Sequence, residues 1–467
     1  MLFLAALALA AAPKASPSPQ APPRPGPEFF AAHRQRVLDK LPAGAVAVFR
    51  SAPETSVETT PDPYRQDSTF WWLTGFGEPN SVAVLRKDTT AGPRYVLFVP
   101  PSDPQAEQWT GWRAGADGAK KDFRADEAHT NDELWKKLPE LWSGARSLLV
   151  SDGGDGAFRT RLLEAWRPGD PNATEPRPVV DAAPIVNQLR LIKDATEVAL
   201  LRRAAQLSAD AHVAAMRATR PGGHEYTLKG AMVGVCLTGG ATRMAYPPIV
   251  GGGRNSVILH YEPADAPLEA GAMIVNDTAC EYAMYAADVT RSYPVSGRFS
   301  PEQKAVYEIV LAAQKAGFAK VRPGSAFRDV HQATAEGVVD GLLGLGLLSG
   351  DRKEILEKRE YQKFYPHGSS HWIGMNVHDV GSYGYPEGVE RLERYGKAMT
   401  TLEPGMLLTV EPGIYIPEGS TADKKWWNIG VRVEDVVLVT PEGMECLSCS
   451  APREIAEVER TLASAGK

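Results

Sequence analysis

Three of the nine histidines fall within one short stretch, His367-Gly-Ser-Ser-His371-Trp-Ile-Gly-Met-Asn-Val-His378-Asp. Asp277 and Asp288 precede it in VNDTACEYAMYAADVTRSYP, and Glu411 and Glu434 follow it in LLTVEPGIYI and IGVRVEDVVLV. Any one of these acids, alone, would read as a surface carboxylate. Together they do not, because their flanks are Met-Ile-Val, Leu-Leu-Thr-Val and Val-Arg-Val, and burying four unpaired acids there would cost many kcal/mol. A pair of metal ions is the simplest compensation. Oxygen-rich ligands with a single His371 imidazole favour Mn²⁺, with Zn²⁺ or Co²⁺ as alternatives, whereas a soft-metal site would use sulfur. Two divalent ions about 3.5–4 Å apart can hold a hydroxide nucleophile at neutral pH and polarise a carbonyl, so the chemistry expected is hydrolysis.

The elements that must position these groups follow from local pattern. Asp277 and Asp288 are separated by a turn-like Thr-Ala-Cys-Glu, so two strands of a hairpin would aim both carboxylates at one spot. Glu411 stands before Pro412-Gly413, where a strand stops. Glu434 is expected mid-strand, sharing a face with Arg432 by alternation. His367 and His378 flank the ligand-type histidine in a Gly-rich stretch and are assigned to catalysis rather than to a core. His260, in SVILHYEPAD, is expected at a strand end, and spacing alone leaves it open between site and surface.

Around this constellation the chain divides in two. Residues 28–185 mix helical spacing (FFAAHRQRVLDKL, NDELWKKLPELW, FRTRLLEAW) with short β-type runs (GAVAVF, SVAVLRK, RYVLFVP, RSLLVSD). The aromatic run Phe70-Trp71-Trp72-Leu73-Thr74-Gly75-Phe76 is assigned to packing. A second domain over 186–467 opens on a long amphipathic segment, DATEVALLRRAAQLSADAHVAAMRAT, with Asp194 and Glu197 spaced as a capping box and Pro221-Gly222-Gly223 as its stop. Further helices are expected at 226–237, 301–317 and 326–343. Strands are expected at 247–251, 256–261, 272–278, 284–290, 406–411 and 429–439. Strand runs between separate helices give an α+β class for this domain, behind a smaller α/β domain.

Composition narrows the partners. The 467 residues carry a net charge of −6, with no Lys/Arg block, which leaves no basic footprint for nucleic acid. No apolar run reaches the roughly 18 residues of a membrane span. Residues 1–12 form a short apolar stretch ending in Ala-Ala-Ala, read as an atypical export signal, since Lys14 follows the run instead of preceding it. Residues 13–27 hold seven prolines and read as a linker, with a mature start near Pro13. The expected location is therefore periplasmic or extracellular if that signal functions, and cytoplasmic otherwise. Four cysteines are too few for a disulfide framework in this length. Cys446 and Cys449 are read as a local pair, oxidised outside the cytosol, in preference to a zinc site, which would need four ligands.

The order Asp277, Asp288, His371, Glu411, Glu434, with the segments YPPIVGGGRNSVILHY, FYPHGSSHWIGMNVHDVG, LEPGMLLTVEPGIYI and GVRVEDVVLVT, resembles the dinuclear metallopeptidases of the pita-bread fold, and most of all Xaa-Pro aminopeptidases. PYRQDSTFWWLTGFGEPNSVAVL resembles the non-catalytic N-terminal domain of those enzymes. The resemblance covers roughly residues 30–455. It implies that Asp277, Asp288, His371, Glu411 and Glu434 bind two metal ions, with Asp288 and Glu434 bridging and Glu411 also acting as general base. It implies that His260 and His378 meet the scissile carbonyl, that His367 lines a proline pocket and that Arg432 orients the site. It implies peptide substrates with proline second, and a dimer or tetramer. Asp277-Thr278-Ala279 departs from the usual Asp-Ala-Gly, which should alter packing and not ligation.

Two rivals remain. A proline dipeptidase would use the same metals on dipeptides only, and Arg391, Arg394 and Lys397 in the run 381–403 could hold a free carboxylate. Ser370-His371-Trp372 favours the aminopeptidase, and alternation of those cations with Glu390 and Glu393 favours a solvated loop. A metal-free binding protein on the same fold would have lost ligands, and this chain keeps all five.

Overall fold

A computed structural model describes residue 22 and residues 24–54, 64–87, 94–166, 177–383 and 400–464. The candidate signal at 1–12, nearly all of the proline-rich segment before Arg24, and Arg391, Arg394 and Lys397 lie outside the described residues.

The first half is built on one mixed sheet. Its strands are β1 (Ala45–Arg50), β2 (Val82–Arg86), β3 (Tyr95–Val99), β4 (Glu127–Thr130), β5 (Ser147–Ser151) and β6 (Val179–Asp181), in the order β4-β3-β2-β1-β5-β6. The central strands are buried on both faces, and alternation sorts their side chains into two cores. Val46, Val48, Val82, Val84, Val96 and Phe98 pack with Leu134, Leu138 and Leu162 of the helices on one side. Ala47, Phe49, Ala83, Leu85, Leu97 and Val99 pack with Val37, Phe70 and Trp72 on the other. The aromatic run forms a helix, Ser68–Thr74, that Asp67 caps by accepting from the Phe70 amide. It ends at Gly75, whose φ is +67° and whose Cβ, if present, would lie 2.4 Å from the Phe30 ring. Trp72 is fully buried and donates from Nε1 to Glu197 Oε1 at 3.0 Å.

Glu197 belongs to the helix Ala195–Ala218, which has the expected capping box with Asp194. Its buried positions Leu200, Leu201, Ala204, Ala205, Ser208, Ala211, His212 and Ala215 recur at helical spacing. Beyond it come β7 (Arg243–Met244), β8 (Ile249–Gly252), β9 (Met273–Asp277), β10 (Cys280–Tyr282), β11 (Tyr285–Ala286) and β12 (Thr290–Pro294). Then follow β13 (Leu407–Val410), β14 (Gly413–Ile416), β15 (Ile429–Arg432), β16 (Asp435–Thr440) and β17 (Gly443–Cys446). They pair antiparallel as β12-β9-β8, β11-β10-β7, β13-β16-β17 and β14-β15. The helices Glu225–Thr238, Pro301–Phe318 and Phe327–Gly344 lie where the pattern predicts them. The half is α+β.

Three strand expectations need correction. Residues 256–261 are not a strand: Gly253, at φ +58°, turns the chain into a short 3₁₀ helix, Gly253–Val257. The strand expected at 284–290 is displaced to β12, leaving only the two-residue β11. The run 429–439 is two strands, β15 and β16, broken at Val433-Glu434. All four cysteines pair, Cys446 with Cys449 as read locally and Cys236 with Cys280 across 44 residues, which the sequence reading missed.

Candidate active site

Asp277 ends β9, and its cross-strand partner on β12 is Thr290, not Asp288. Asp288 lies two residues before β12. The two acids converge because the chain between them leaves the ladder to form the β10–β11 hairpin, turned by Ala283 (φ +47°) and Met284 (φ +72°). Glu411 follows β13, and its amide donates to Ser369 O at 2.8 Å, while Thr409 N donates to His371 O at 3.0 Å. That pairing lays the His371 segment alongside β13. Glu434 sits in the β15–β16 break, where its amide donates to Thr290 O at 3.1 Å. Glu434 and Arg432 share the cavity face, as alternation predicts, while Val431 and Val433 pack into the core on the other face.

The cavity has a volume of about 190 Å³ and is lined by His260, Asp277, Asp288, His367, His371, His378, Glu411, Arg432 and Glu434, with Leu259 and Gly368. All nine candidate residues therefore meet at one place. Ligand-type atoms of Asp288, His371 and Glu434 lie within 4.8 Å of one another. His371 Nε2 stands 3.3 Å from Asp288 Oδ2 and 3.6 Å from Glu411 Oε1. Its Nδ1 donates to Trp372 O at 3.0 Å, which fixes the tautomer and turns the Nε2 lone pair toward the acids. His367 is arranged the same way. Nδ1 donates to Gly368 O at 2.8 Å, so Nε2 accepts from the Tyr415 hydroxyl at 2.9 Å. Burial, with Arg432 nearby, pushes the His367 imidazole down to about 3, so it is neutral at physiological pH. The His378 ring meets the His371 ring edge-on at 4.3 Å, and both His260 and His378 are exposed toward the cavity opening.

Two groups missed by sequence reasoning complete the site. The Tyr246 hydroxyl lies 2.5 Å from Asp277 Oδ1 and 2.7 Å from Asp288 Oδ1. Thr290 Oγ1 donates to Glu434 Oε2 at 2.7 Å and accepts from Arg432 Nε at 3.1 Å. Arg432 also donates to Asp277 Oδ2 at 2.7 Å and to the Tyr415 hydroxyl at 2.8 Å. A tyrosine before Pro-Pro and a threonine in a strand carry no chemical signal of their own. Thr278, the departure at the first acid, bonds Asn276 Oδ1 through its hydroxyl at 2.9 Å and faces away from the cavity lining.

The electrostatics of this set call for cations. Burial first, then Asp277, pushes Asp288 well above the ordinary carboxylate range. Burial first, then Asp288 and Asp277, does the same to Glu434, and burial with Glu434 does it to Glu411. Among the described residues lining the cavity, Arg432 is the one permanent cation for four acids. Glu434 Oε1 is buried and has no hydrogen-bond partner among them. A buried carboxylate oxygen left bare is costly unless a cation meets it. Four carboxylates and one imidazole presenting Nε2 suit divalent ions.

Comparison with known proteins decides the family. Residues 199–441 match the model for metallopeptidase family M24, and residues 30–150 match that for the aminopeptidase P N-terminal domain. This chain belongs to family M24. The Xaa-Pro aminopeptidase of Haemophilus influenzae is 36% identical over 93% of this chain and 97% of its own length. Among solved structures, Escherichia coli aminopeptidase P with the inhibitor Pro-Leu aligns at a TM-score of 0.88 and 34% identity, covering 95% of this chain and 99% of that one. A zinc-substituted form of the same enzyme, in complex with product, aligns at 0.88 and 35%, covering 95% and 100%. The pita-bread architecture with its preceding N-terminal domain is thereby the fold of this M24 metallopeptidase, which takes divalent metal ions.

Proposed function

We propose that this enzyme removes the N-terminal residue of peptides whose second residue is proline. The single observation that carries the reading is the cavity in which four carboxylates and His371 Nε2 face one another with one arginine among them and a bare Glu434 oxygen. Asp277, Asp288, His371, Glu411 and Glu434 would hold two divalent ions, with Asp288 and Glu434 shared. Manganese is the metal favoured by the donor set, ahead of zinc or cobalt. Such ions, when bound, lower the pKa of water and polarise a carbonyl.

The chain's own residues do the rest. Glu411 takes the proton of the attacking water and delivers it to the departing proline nitrogen. His378 and His260, at the cavity mouth, offer N–H donors to the carbonyl oxygen as it gains charge. His367, held neutral between Gly368 and Tyr415, offers the cavity an aromatic face that suits a pyrrolidine ring, with Tyr365 and Tyr415 packed behind it (ring centroids 5.0 and 5.5 Å away). Arg432 and Tyr246 hold the Asp277 carboxylate in place. Export is part of the same reading: both disulfides suit an oxidising compartment. So is self-association, for which Trp109 and Trp112, 90% and 92% exposed, offer apolar surface in the N-terminal half. No helix among the described residues is long and apolar enough to cross a membrane.

Substrate choice is tested by kcat/KM for an Xaa-Pro dipeptide, an Xaa-Pro-Xaa tripeptide and the tripeptide with alanine for proline. The tripeptide should be cleaved at least as well as the dipeptide, and the alanine analogue should lose most of the rate. Strong preference for the dipeptide would make the enzyme a proline dipeptidase, with Arg391, Arg394 and Lys397 the first residues to replace.

A further inference from the structure

His378 rides on a loop of bends between Trp372 and Asp379. The loop is closed by its last residue. The Asp379 amide donates to Trp372 O at 2.9 Å, and the Asp379 carboxylate accepts from the Asn376 amide at 3.4 Å. That side chain is 1% exposed and receives Arg190 Nη2 at 2.7 Å and Lys193 Nζ at 3.2 Å. Gly374 is wrapped so tightly around this carboxylate that a Cβ there would stand 2.2 Å from Asp379 Oδ2 and 2.9 Å from Lys193 Cε. Burial alone would raise the Asp379 carboxyl, but Arg190 and Lys193 hold it below the ordinary range, as a buried ion pair requires.

The grip comes from distant parts of the chain. Arg190 also donates to Thr69 Oγ1 at 3.1 Å. Ser68 Oγ donates to Asn376 Oδ1 at 2.8 Å, and Arg65 Nη2 donates to Met375 O at 2.7 Å while its Nε holds Glu281 at 2.7 Å. Segments 65–69 and 190–193 thus clamp the loop, and none of their residues lines the cavity. A misplacement of about 1 Å at a reacting centre can cost about 10²-fold in rate.

The geometry points to Asp379, held by Arg190 and Lys193, as a positioning residue that sets His378 against the scissile carbonyl, with Ser68 and Arg65 of the N-terminal half fixing the same loop. Asp379 touches no substrate and acts only through His378. The N-terminal half then contributes to kcat and not only to access. This inference rests on the role proposed above for His378.

The test is a double-mutant cycle of Asp379→Asn with His378→Ala. Asp379→Asn alone should lower kcat by roughly 10- to 100-fold, with KM within about 3-fold and metal content unchanged. In the His378→Ala background the same change should cost less than about 3-fold. The Kd of a phosphinic Xaa-Pro analogue, whose tetrahedral phosphorus replaces the scissile carbon, should weaken in parallel, while that of the product peptide should not. If Asp379→Asn does not fold, Ser68→Ala decides the matter, with about a 3- to 10-fold loss of kcat that vanishes when His378 is absent. Equal losses in both backgrounds, or wild-type kcat in the single variant, overturn the proposal. A His378→Ala enzyme with unchanged kcat overturns it too, but by refuting the role of His378 itself.

Discussion

Glu434 and Asp435 are neighbours in the chain and both are buried, yet their surroundings differ in kind. Asp435 accepts from Arg291 at 2.7 Å, Arg453 at 3.2 Å, Ser448 at 2.6 Å and Gln314 at 3.0 Å. Asp379 is served likewise by Arg190 and Lys193. Glu434 has Thr290 on one oxygen, a bare second oxygen, and three more acids around the same cavity. Around Asp435 and Asp379 this protein supplies the countercharge from its own side chains. Around Glu434 it leaves a space shaped for countercharge from solution.

The contrast can be broken most severely at the cavity. Asp288→Ala should lower activity by more than about 10³-fold and reduce bound metal, because the carboxylate proposed to serve both ions is lost. Turnover assays with elemental analysis check it, and wild-type rates at full metal occupancy would remove Asp288 from the site. The structural pole responds differently. Asp435→Ala strands the fully buried Arg291, and losing one partner of a buried pair costs about 3–5 kcal/mol. Thermal unfolding should register that loss with or without metal.

A smaller effect separates the poles by pH. In metal-free protein Asp288, Glu411 and Glu434 are raised, chiefly by burial and then by neighbouring carboxylates, Asp277 among them, so the folded state binds more protons than the unfolded chain above about pH 4. Their contribution is fully present below that pH and is lost as pH rises through the folded values. Asp379 is lowered, so its contribution is present above about pH 4 and disappears as pH falls through its folded value. Chelated enzyme should therefore have a higher unfolding temperature at pH 5 than at pH 7, and Glu434→Gln should flatten that difference. A chelated Glu434→Gln enzyme with the wild-type pH slope would place the acids elsewhere.

The acids and His371 that line the cavity were legible because carboxylates inside apolar runs are anomalous on their face, and the helices because their periodicity and caps are local. What was hidden depends on contacts far apart in sequence. Arg190 and Asp379 are 189 residues apart, and neither position is unusual alone. Alternation over 431–434 was legible and puts Arg432 and Glu434 on one face, but the division of the run into β15 and β16, marked only by the adjacent Glu434 and Asp435, was not. The apolar run after Gly253 resembled a strand, but it is bent under β15, where a Cβ on Gly430 would lie 2.0 Å from Ser256 O. Tyr246 shows no sign of its place until Asp277 and Asp288 are seen to share it.

The central claim is that the acid cavity is completed by two divalent ions. Calorimetric titration of the chelated protein with Mn²⁺, followed by activity on an Xaa-Pro-Xaa peptide at each addition, tests it most directly. The account predicts two ions per chain for the wild type, at most one for Asp288→Ala, and activity that returns in step with occupancy. A wild-type protein that binds no divalent ion, or cleaves the peptide at full rate while metal-free, would contradict it.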